Sequence, residues 1–177
     1  MKFIYQIILI FLVFFSNFVF AQTIAVVNIQ SLIDNNNYYK EIIKDIELSQ
    51  EKYLEKFELK EKELNDKLKD LEQSKLILNE IEINAQIDNY NEELTAFTLT
   101  VEQFNLHYQN QVINIKEIIL KEIFIILEKY AIENQVDLIL DSASYLIASN
   151  SIDITDSINE KLQNINLKLE YINFEKN

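Results

Sequence analysis

The sequence predicts an α+β protein that is mostly helical, with one long antiparallel coiled-coil hairpin projecting from a small β-strand body. Three observations support this fold class. Apolar residues recur at helical spacing through most of residues 38–134. Short β-branched and apolar runs lie before and after that stretch. The 177 residues include no glycine and no proline, which disfavours a fold with many tight turns and favours a few long helices.

Residues 1–21 have the layout of a secretory signal peptide. A positive start, Met1-Lys2, precedes the almost wholly apolar residues 3–20, and Ala21 is a small residue suited to signal-peptidase cleavage. We expect cleavage after Ala21 and export from the cytoplasm. The alternative is an uncleaved membrane anchor, because about 18 apolar residues nearly span a bilayer. The sequence has no cysteine, which excludes a lipoprotein attachment, a disulfide framework and a thiolate metal site.

The charge and composition exclude several classes of function. The formal net charge is −13, and removal of residues 1–21 takes away one lysine and no acid, which makes it −14. Such a charge argues against nucleic acid and anionic membranes as partners. Phosphate-binding glycine loops and nucleophile elbows are hard to build without glycine. His107 is the single histidine and is interpreted as a plain helix-surface residue. We therefore expect no enzymatic activity, no nucleotide, no cofactor and no metal.

The first arm of the predicted hairpin begins at about residue 38, after a short strand at residues 23–28 and a polar loop at residues 34–37. Polar residues occupy some slots of its apolar seam, namely Gln50, Glu61 and Lys75, so this helix is expected to be loosely clamped. The apolar seam residues are Ile43, Ile46, Tyr53, Phe57, Leu64, Leu68, Leu71 and Leu78.

The second arm has a more regular seam. Its apolar residues are first spaced alternately three and four residues apart, as in the heptads of a coiled coil, and then follow a longer repeat. The longer repeat unwinds the supercoil and indicates a change of packing partner. The seam phase is lost between Leu78 and Ile87, so the hairpin tip is predicted at about residues 79–85, with Asn79 and Asn84 available for left-handed geometry. The seam residues are Ile87, Tyr90, Leu94, Phe97, Val101, Phe104 and Tyr108, followed by Val112, Ile115, Ile119, Ile123, Ile126 and Tyr130.

After residue 134 the apolar pattern changes again. Residues 136–141 and 144–148 are predicted as two strands joined in a hairpin. Asp153 suits a helix N-cap, Asp156 favours the first turn, and helical spacing continues to Ile172.

Residues 22–37 and 135–177 together make the body in this interpretation. Its strands and single helix form a small core for one chain, so an obligate homo-oligomer is expected. The residues assigned to the oligomer body are Ile24, Val26, Val136, Leu138 and Leu140.

Both ends of the chain resemble the Skp (OmpH-like) family. Residues 24–32 closely resemble its first-strand segment. Residues 136–141, with Ala143 and Tyr145, resemble its second and third strands, and residues 153–155 resemble the start of its final helix. These segments stand in the family's order, after a signal peptide and around a helical insert of the right length. The resemblance covers residues 22 to about 162.

The resemblance implies a periplasmic homotrimer shaped like a jellyfish. In this family the strands form a shared barrel-like body, and three helical hairpins enclose a cavity that holds unfolded outer-membrane proteins without ATP. The chain departs from the familiar members in two ways. It is strongly acidic rather than basic, which disfavours lipopolysaccharide binding, and residues 163–177 continue the last helix beyond the usual family end.

The holdase function implied by the family needs exposed apolar residues on the arms. Those that lie off the seam cannot all be covered in a two-helix arm, and they offer weak, non-directional contacts to a client of no fixed shape. They are Leu59, Leu76, Ile77, Ile81, Ile83, Leu99 and Leu106. The alternative function is a structural coiled-coil protein anchored in the envelope by an uncleaved N-terminal helix. A prefoldin-like cytosolic chaperone is disfavoured by the export signal.

Overall fold

The computed structural model describes residues 22–174, so the predicted signal peptide lies outside the described residues. Two short strands and a pair of helices form a body from which two long helices project, and the predicted mostly helical α+β class is confirmed. In chain order the elements are β1 (Ile24–Val27), α1 (Ile29–Asn35), α2 (Asn37–Ser74), α3 (Glu80–Asn134), β2 (Leu138–Asp141) and α4 (Thr155–Gln163), with 3-10 turns at Ser142–Ser144 and Asn150–Ile152.

The hairpin arm consists of α2 and α3. At about 1.5 Å per residue, their 38 and 55 residues correspond to roughly 57 Å and 83 Å of helix. The tip is a tight turn between Ser74 and Glu80, earlier than the predicted residues 79–85. Asn79 takes no left-handed geometry there, because it is the N-cap of α3 and forms a capping box with Glu82. The left-handed residue is instead Gln135 (φ 53°), which ends α3 at the body.

The seam between α2 and α3 follows the predicted periodicity, but several positions of α2 lie one residue earlier than predicted. Ile42 is buried where Ile43 is half-buried. Lys60 and Ser74 are half-buried, whereas the predicted polar positions Glu61 and Lys75 are exposed. Ser49, rather than Gln50, is buried in the polar slot of α2, because its hydroxyl finds a partner in Tyr108 across the seam at 2.7 Å. The seam is tightest towards the body, where the α3 residues Phe104, Tyr108, Ile115, Ile119, Ile123, Ile126 and Leu127 are all buried. It is looser towards the tip, where Leu68 and Leu94 are exposed.

The strands β1 and β2 pair in parallel, with Ile24 opposite Leu138 and Val27 opposite Asp141. Parallel neighbours cannot be joined by a tight turn and need a long crossover, which here is the whole hairpin arm. The pairing therefore brings both ends of the arm to one body. Among residues 22–174, no helix is long and apolar enough to span a membrane.

The predicted third strand at residues 144–148 is wrong. The Asp141 carboxylate accepts a hydrogen bond from the Ala143 N–H, which starts a 3-10 turn instead of a hairpin. The remaining edge of β1 is taken by Asp153, which bridges to Val26, while the Ile154 N–H donates to the Val26 carbonyl. Residues 144–148 pair with neither strand in the described part of the chain, and Leu146 and Ile147 are exposed.

The last helix starts close to where the sequence predicts but ends earlier. The N-cap is Ile154 rather than the predicted Asp153, although the Asp153 carboxylate accepts a hydrogen bond from the Thr155 N–H at 2.8 Å. Helix α4 then ends at Gln163 rather than continuing to Ile172 and beyond. Residues 164–174, called the tail below, are not helical. Their odd-numbered residues from Ile165 to Tyr171 are buried or half-buried while the even-numbered ones are exposed, which is the two-residue periodicity of an extended chain. The same residues also fit helical spacing, so the sequence pattern was ambiguous.

Candidate functional site

The predicted client-binding residues on the arm are mostly exposed. Leu76 and Ile77 lie in the tip turn, and Ile81 follows in the first turn of α3, so the structure gathers these three at the distal end. Leu59, Leu99 and Leu106 are exposed singly along the shaft of the arm, and Ile83 is half-buried. These three residues form an exposed apolar cluster at the end of the projecting arm.

A second set of exposed apolar residues lies near the body and was not singled out from the sequence. Phe124, Ile125 and Ile132 are exposed on α3, and Leu146 and Ile147 are exposed in the loop after β2. A signal was available, because the α3 run from Ile123 to Leu127 is too apolar for one helix face to bury.

The predicted oligomer-body residues divide into two groups. Val26 is buried within the single chain, and Val136 and Leu140 are half-buried. Ile24 and Leu138 are exposed and lie opposite each other in the β1–β2 pair. In the described part of the chain β2 has a strand neighbour on one side alone, so its second edge is available for pairing.

The tail forms a third site, which the sequence interpretation missed. Phe174 inserts among rings from both arm helices, with centroid distances of 5.5 Å to Tyr53, 5.4 Å to Phe104 and 5.7 Å to His107. Phe174 is 6% exposed. The cluster is extended along the arm by Phe57, whose ring lies 5.0 Å from that of Phe104. These edge-to-face and tilted arrangements are those that aromatic rings favour.

Side chains of the arm bind the main chain of the tail. The Gln111 side-chain oxygen accepts from the Ile172 N–H at 3.3 Å, and His107 Nε2 lies 2.7 Å from the Ile172 carbonyl. Since a carbonyl can only accept, this imidazole carries its proton on Nε2. The expectation that His107 is a plain surface residue is therefore corrected, because it is half-buried and bonded to the tail.

The peptide groups of Phe174 are bound in the same way. Its N–H donates to the Tyr108 hydroxyl at 3.4 Å, and its carbonyl accepts from the Tyr53 hydroxyl. Ser49 donates to the Asn173 side-chain oxygen at 2.7 Å, so the hydrogen bond between Ser49 and Tyr108 has Tyr108 as its donor.

Comparison with known families gives a decisive match over most of the chain. The family model described as "Outer membrane protein (OmpH-like)" matches residues 23–162. The chain belongs to the OmpH-like family. The match ends one residue before the last residue of α4, so the tail lies beyond the part that defines an OmpH-like protein.

A solved structure has the same fold as this OmpH-like chain. It is a crystal structure of an OmpH-like protein from Caulobacter crescentus CB15, described as an outer membrane chaperone, with a TM-score of 0.62. The two chains are 12% identical, and the similarity covers 86% of this chain and 92% of the other. A search of curated proteins finds no match.

A network of charges joins the two helices of the OmpH-like arm. Lys67 binds Glu93 at 2.7 Å and Glu63 at 3.1 Å, and Lys60 binds Glu93 at 3.2 Å. The hydrogen bond from Lys67, followed by that from Lys60, lowers the pKa of the Glu93 carboxyl below its ordinary value of 4.5. The hydrogen bond from Glu93, followed by that from Glu63, raises the pKa of Lys67 above 10.5. The network links α2 to α3 in the loosely packed outer half of the arm.

Proposed function

We propose that this OmpH-like chain is an ATP-independent periplasmic holdase chaperone that binds unfolded outer-membrane proteins during export and outer-membrane assembly. Family membership supports a chaperone role at the level of the family. The observation that carries the proposal is the exposed apolar cluster of Leu76, Ile77 and Ile81 at the end of a long projecting arm. An enzyme would need a shaped pocket for its substrate, whereas a holdase can bind an unfolded chain through dispersed apolar contacts.

The binding energy comes from many weak contacts rather than from a nucleotide. At about 25 cal/mol per Å² of apolar area, a few hundred Å² buried across several arms gives several kcal/mol before entropic costs. Release follows when the client folds into a bilayer and buries the same apolar groups itself. The net charge of −14 after removal of residues 1–21 keeps the holder soluble while its apolar residues are exposed.

The proposed assembly is a homotrimer built through the strand pair. The open edge of β2 can accept a strand from a neighbouring subunit, and the exposed side chains of Ile24 and Leu138 become buried at that junction. Burial of Phe124 and Ile132 against another subunit would account for their exposure in one chain. Three arms then surround a common space in which a client is held.

Aggregation of a denatured outer-membrane protein, followed by light scattering, tests the holdase proposal. The wild-type chain is expected to suppress scattering at a stoichiometric ratio without ATP. Replacing Leu76, Ile77 and Ile81 together by Ser is expected to weaken suppression strongly, because the tip then lacks apolar surface.

The matched control replaces three exposed polar residues near the same tip, Gln73, Lys75 and Asn84, by Ser. This control should suppress aggregation as well as the wild type. Equal suppression by both triple variants would show that the tip does not bind clients, and no suppression by the wild type would refute the holdase itself.

The alternative, a structural coiled-coil protein anchored in the envelope, depends on residues 1–21, which lie outside the described residues. The mass of the protein isolated from the envelope distinguishes the two functions. Loss of residues 1–21 is expected for a periplasmic chaperone, while retention of these residues supports the anchor.

A further inference from the structure

We propose that the aromatic groove between α2 and α3, now filled by the tail, is a binding site for extended polypeptide. The tail occupies this site in cis, and an extended segment of a client that carries an aromatic side chain takes its place. The meaning of this site for clients rests on the holdase function proposed above, but the site itself follows from the geometry of residues 164–174.

The site recognises main chain. Four peptide groups of the tail, the N–H and carbonyl of Ile172 and of Phe174, are each bound by an arm side chain. His107 and Gln111 are one turn apart on α3, and they bind the carbonyl and the N–H of Ile172, respectively. Every polypeptide has these groups, so a site that binds them tolerates many sequences.

The site also contains an aromatic pocket. Phe174 is held by rings of Tyr53, Phe104 and His107, so the site adds one side-chain anchor to its main-chain contacts. A groove of about 490 Å³ continues from Phe174 along the arm and is lined by Phe57, Ala96 and Phe97 among others. A longer ligand can therefore gain apolar contacts along the arm beyond the position of Phe174.

The tail that occupies the site has an alternating sequence pattern. Apolar and polar residues alternate from Asn164 to Tyr171, and the apolar ones face the protein. Segments of about ten residues with this alternation are the sequence signature of strands in outer-membrane β-barrels. The tail thus has the same chemistry as a strand of the proposed clients, and it shows how such a strand would lie on the arm.

Tethering makes the tail an effective competitor. A segment attached by a short linker acts at an effective concentration in the millimolar range. The site is therefore covered while no client is present, and a client gains access by out-competing the tail.

The test measures binding of a fluorescent peptide with the sequence of residues 164–174 to three full-length proteins. Phe174→Ala removes the buried anchor of the cis tail, and Ile172→Ala is the matched control, because its side chain is 69% exposed. The peptide is expected to bind Phe174→Ala at least about tenfold more tightly than the wild type, since losing a buried phenyl costs more than the roughly 1.4 kcal/mol that a tenfold change represents. Ile172→Ala should bind like the wild type.

Two altered peptides test the two kinds of contact. A peptide with Ala in place of its final Phe should lose most of its affinity for the Phe174→Ala protein. A peptide N-methylated at that Phe should also bind more weakly, because the methyl group removes the donor to Tyr108. Equal affinity of the native peptide for all three proteins, or no binding to any, would overturn the proposal and leave the tail as a fixed part of the fold.

Hydrogen exchange on the wild-type protein covers the case in which Phe174→Ala does not fold. Excess peptide is expected to speed exchange of the Ile172 and Phe174 amides, and unchanged exchange at saturating peptide would overturn the proposal. The outcome is separable from the holdase test. Suppressed aggregation without peptide binding refutes this site alone, and peptide binding without suppressed aggregation refutes the holdase function alone.

Discussion

Replacing Phe104 by Ala should be among the most damaging single changes in the arm. Phe104 is 2% exposed, and its ring centroid lies within 5.0–5.6 Å of those of Tyr53, Phe57, Tyr108 and Phe174. These partners come from α2, α3 and the tail, which cannot all move inwards to close the gap. Truncation of a buried Phe costs about 3–5 kcal/mol, and poor relaxation places this site near the middle or top of that range.

Urea unfolding followed by circular dichroism measures this cost. With a slope of roughly 2 kcal/mol per molar, a loss of about 4 kcal/mol lowers the midpoint by about 2 M. Protein concentration is held constant, because the proposed subunit association would add to the apparent stability. The control is Leu106→Ala on the same helix, where the side chain is 51% exposed; its expected cost is less than about 1 kcal/mol.

A midpoint shift for Phe104→Ala no larger than that for Leu106→Ala would refute the view that this aromatic cluster holds the arm together. If Phe104→Ala does not fold at all, Phe104→Leu fills most of the space and allows the comparison. It is expected to cost less than Phe104→Ala but clearly more than Leu106→Ala.

Three further predictions follow from the charges and the strand edge. Since the pKa of Glu93 is lowered in the folded protein, the contribution of this carboxylate to stability is present above pH 4.5 and is lost as the pH falls further. An acid titration of the unfolding free energy should therefore show Glu93→Gln less stable than the wild type near neutral pH and equal to it at low pH. A difference that stays constant with pH would contradict this. Leu138→Asp should dissociate the proposed trimer by charging its strand junction, and sedimentation that shows an unchanged assembly would exclude that interface. Client binding, measured by pull-down, should strengthen with added salt if the acidic surface repels acidic clients, because roughly 0.1 M salt screens charges more than about 10 Å apart; weakening with salt would instead indicate a local basic patch.

The helices were predictable because their signal is local and repeated. The seam of α3 from Phe104 to Ile126 repeats over several turns, and each slot adds evidence for the same face. The hairpin tip was placed too late, since a tip is marked by a few residues, and Asn79 is as suitable for an N-cap as for a left-handed turn. The exposed arm residues followed from the same periodicity, because a residue off the seam of a two-helix arm has little to pack against.

The strands and the tail were harder to predict from the sequence, because their packing partners are distant along the chain. Residues 144–148 have the composition of a strand, yet a 3-10 turn at Ser142–Ser144 replaces the predicted hairpin turn, and they do not pair with β2. Residues 164–172 fit both a helix and an extended chain, and the choice depends on what they meet when they return to the arm.

By itself, the sequence determined that this protein is mostly helical, that its long helices pair along an apolar seam, and that it belongs beside OmpH-like proteins. These properties follow from periodicity, from the absence of glycine and proline, and from short end motifs. The tertiary structure alone decided that β1 and β2 run parallel and that the tail leaves α4 to fill an aromatic groove. The physical reason is that a strand edge and a buried ring need partners, and those partners lie more than sixty residues away along the chain, as the contact between Phe174 and Tyr108 illustrates.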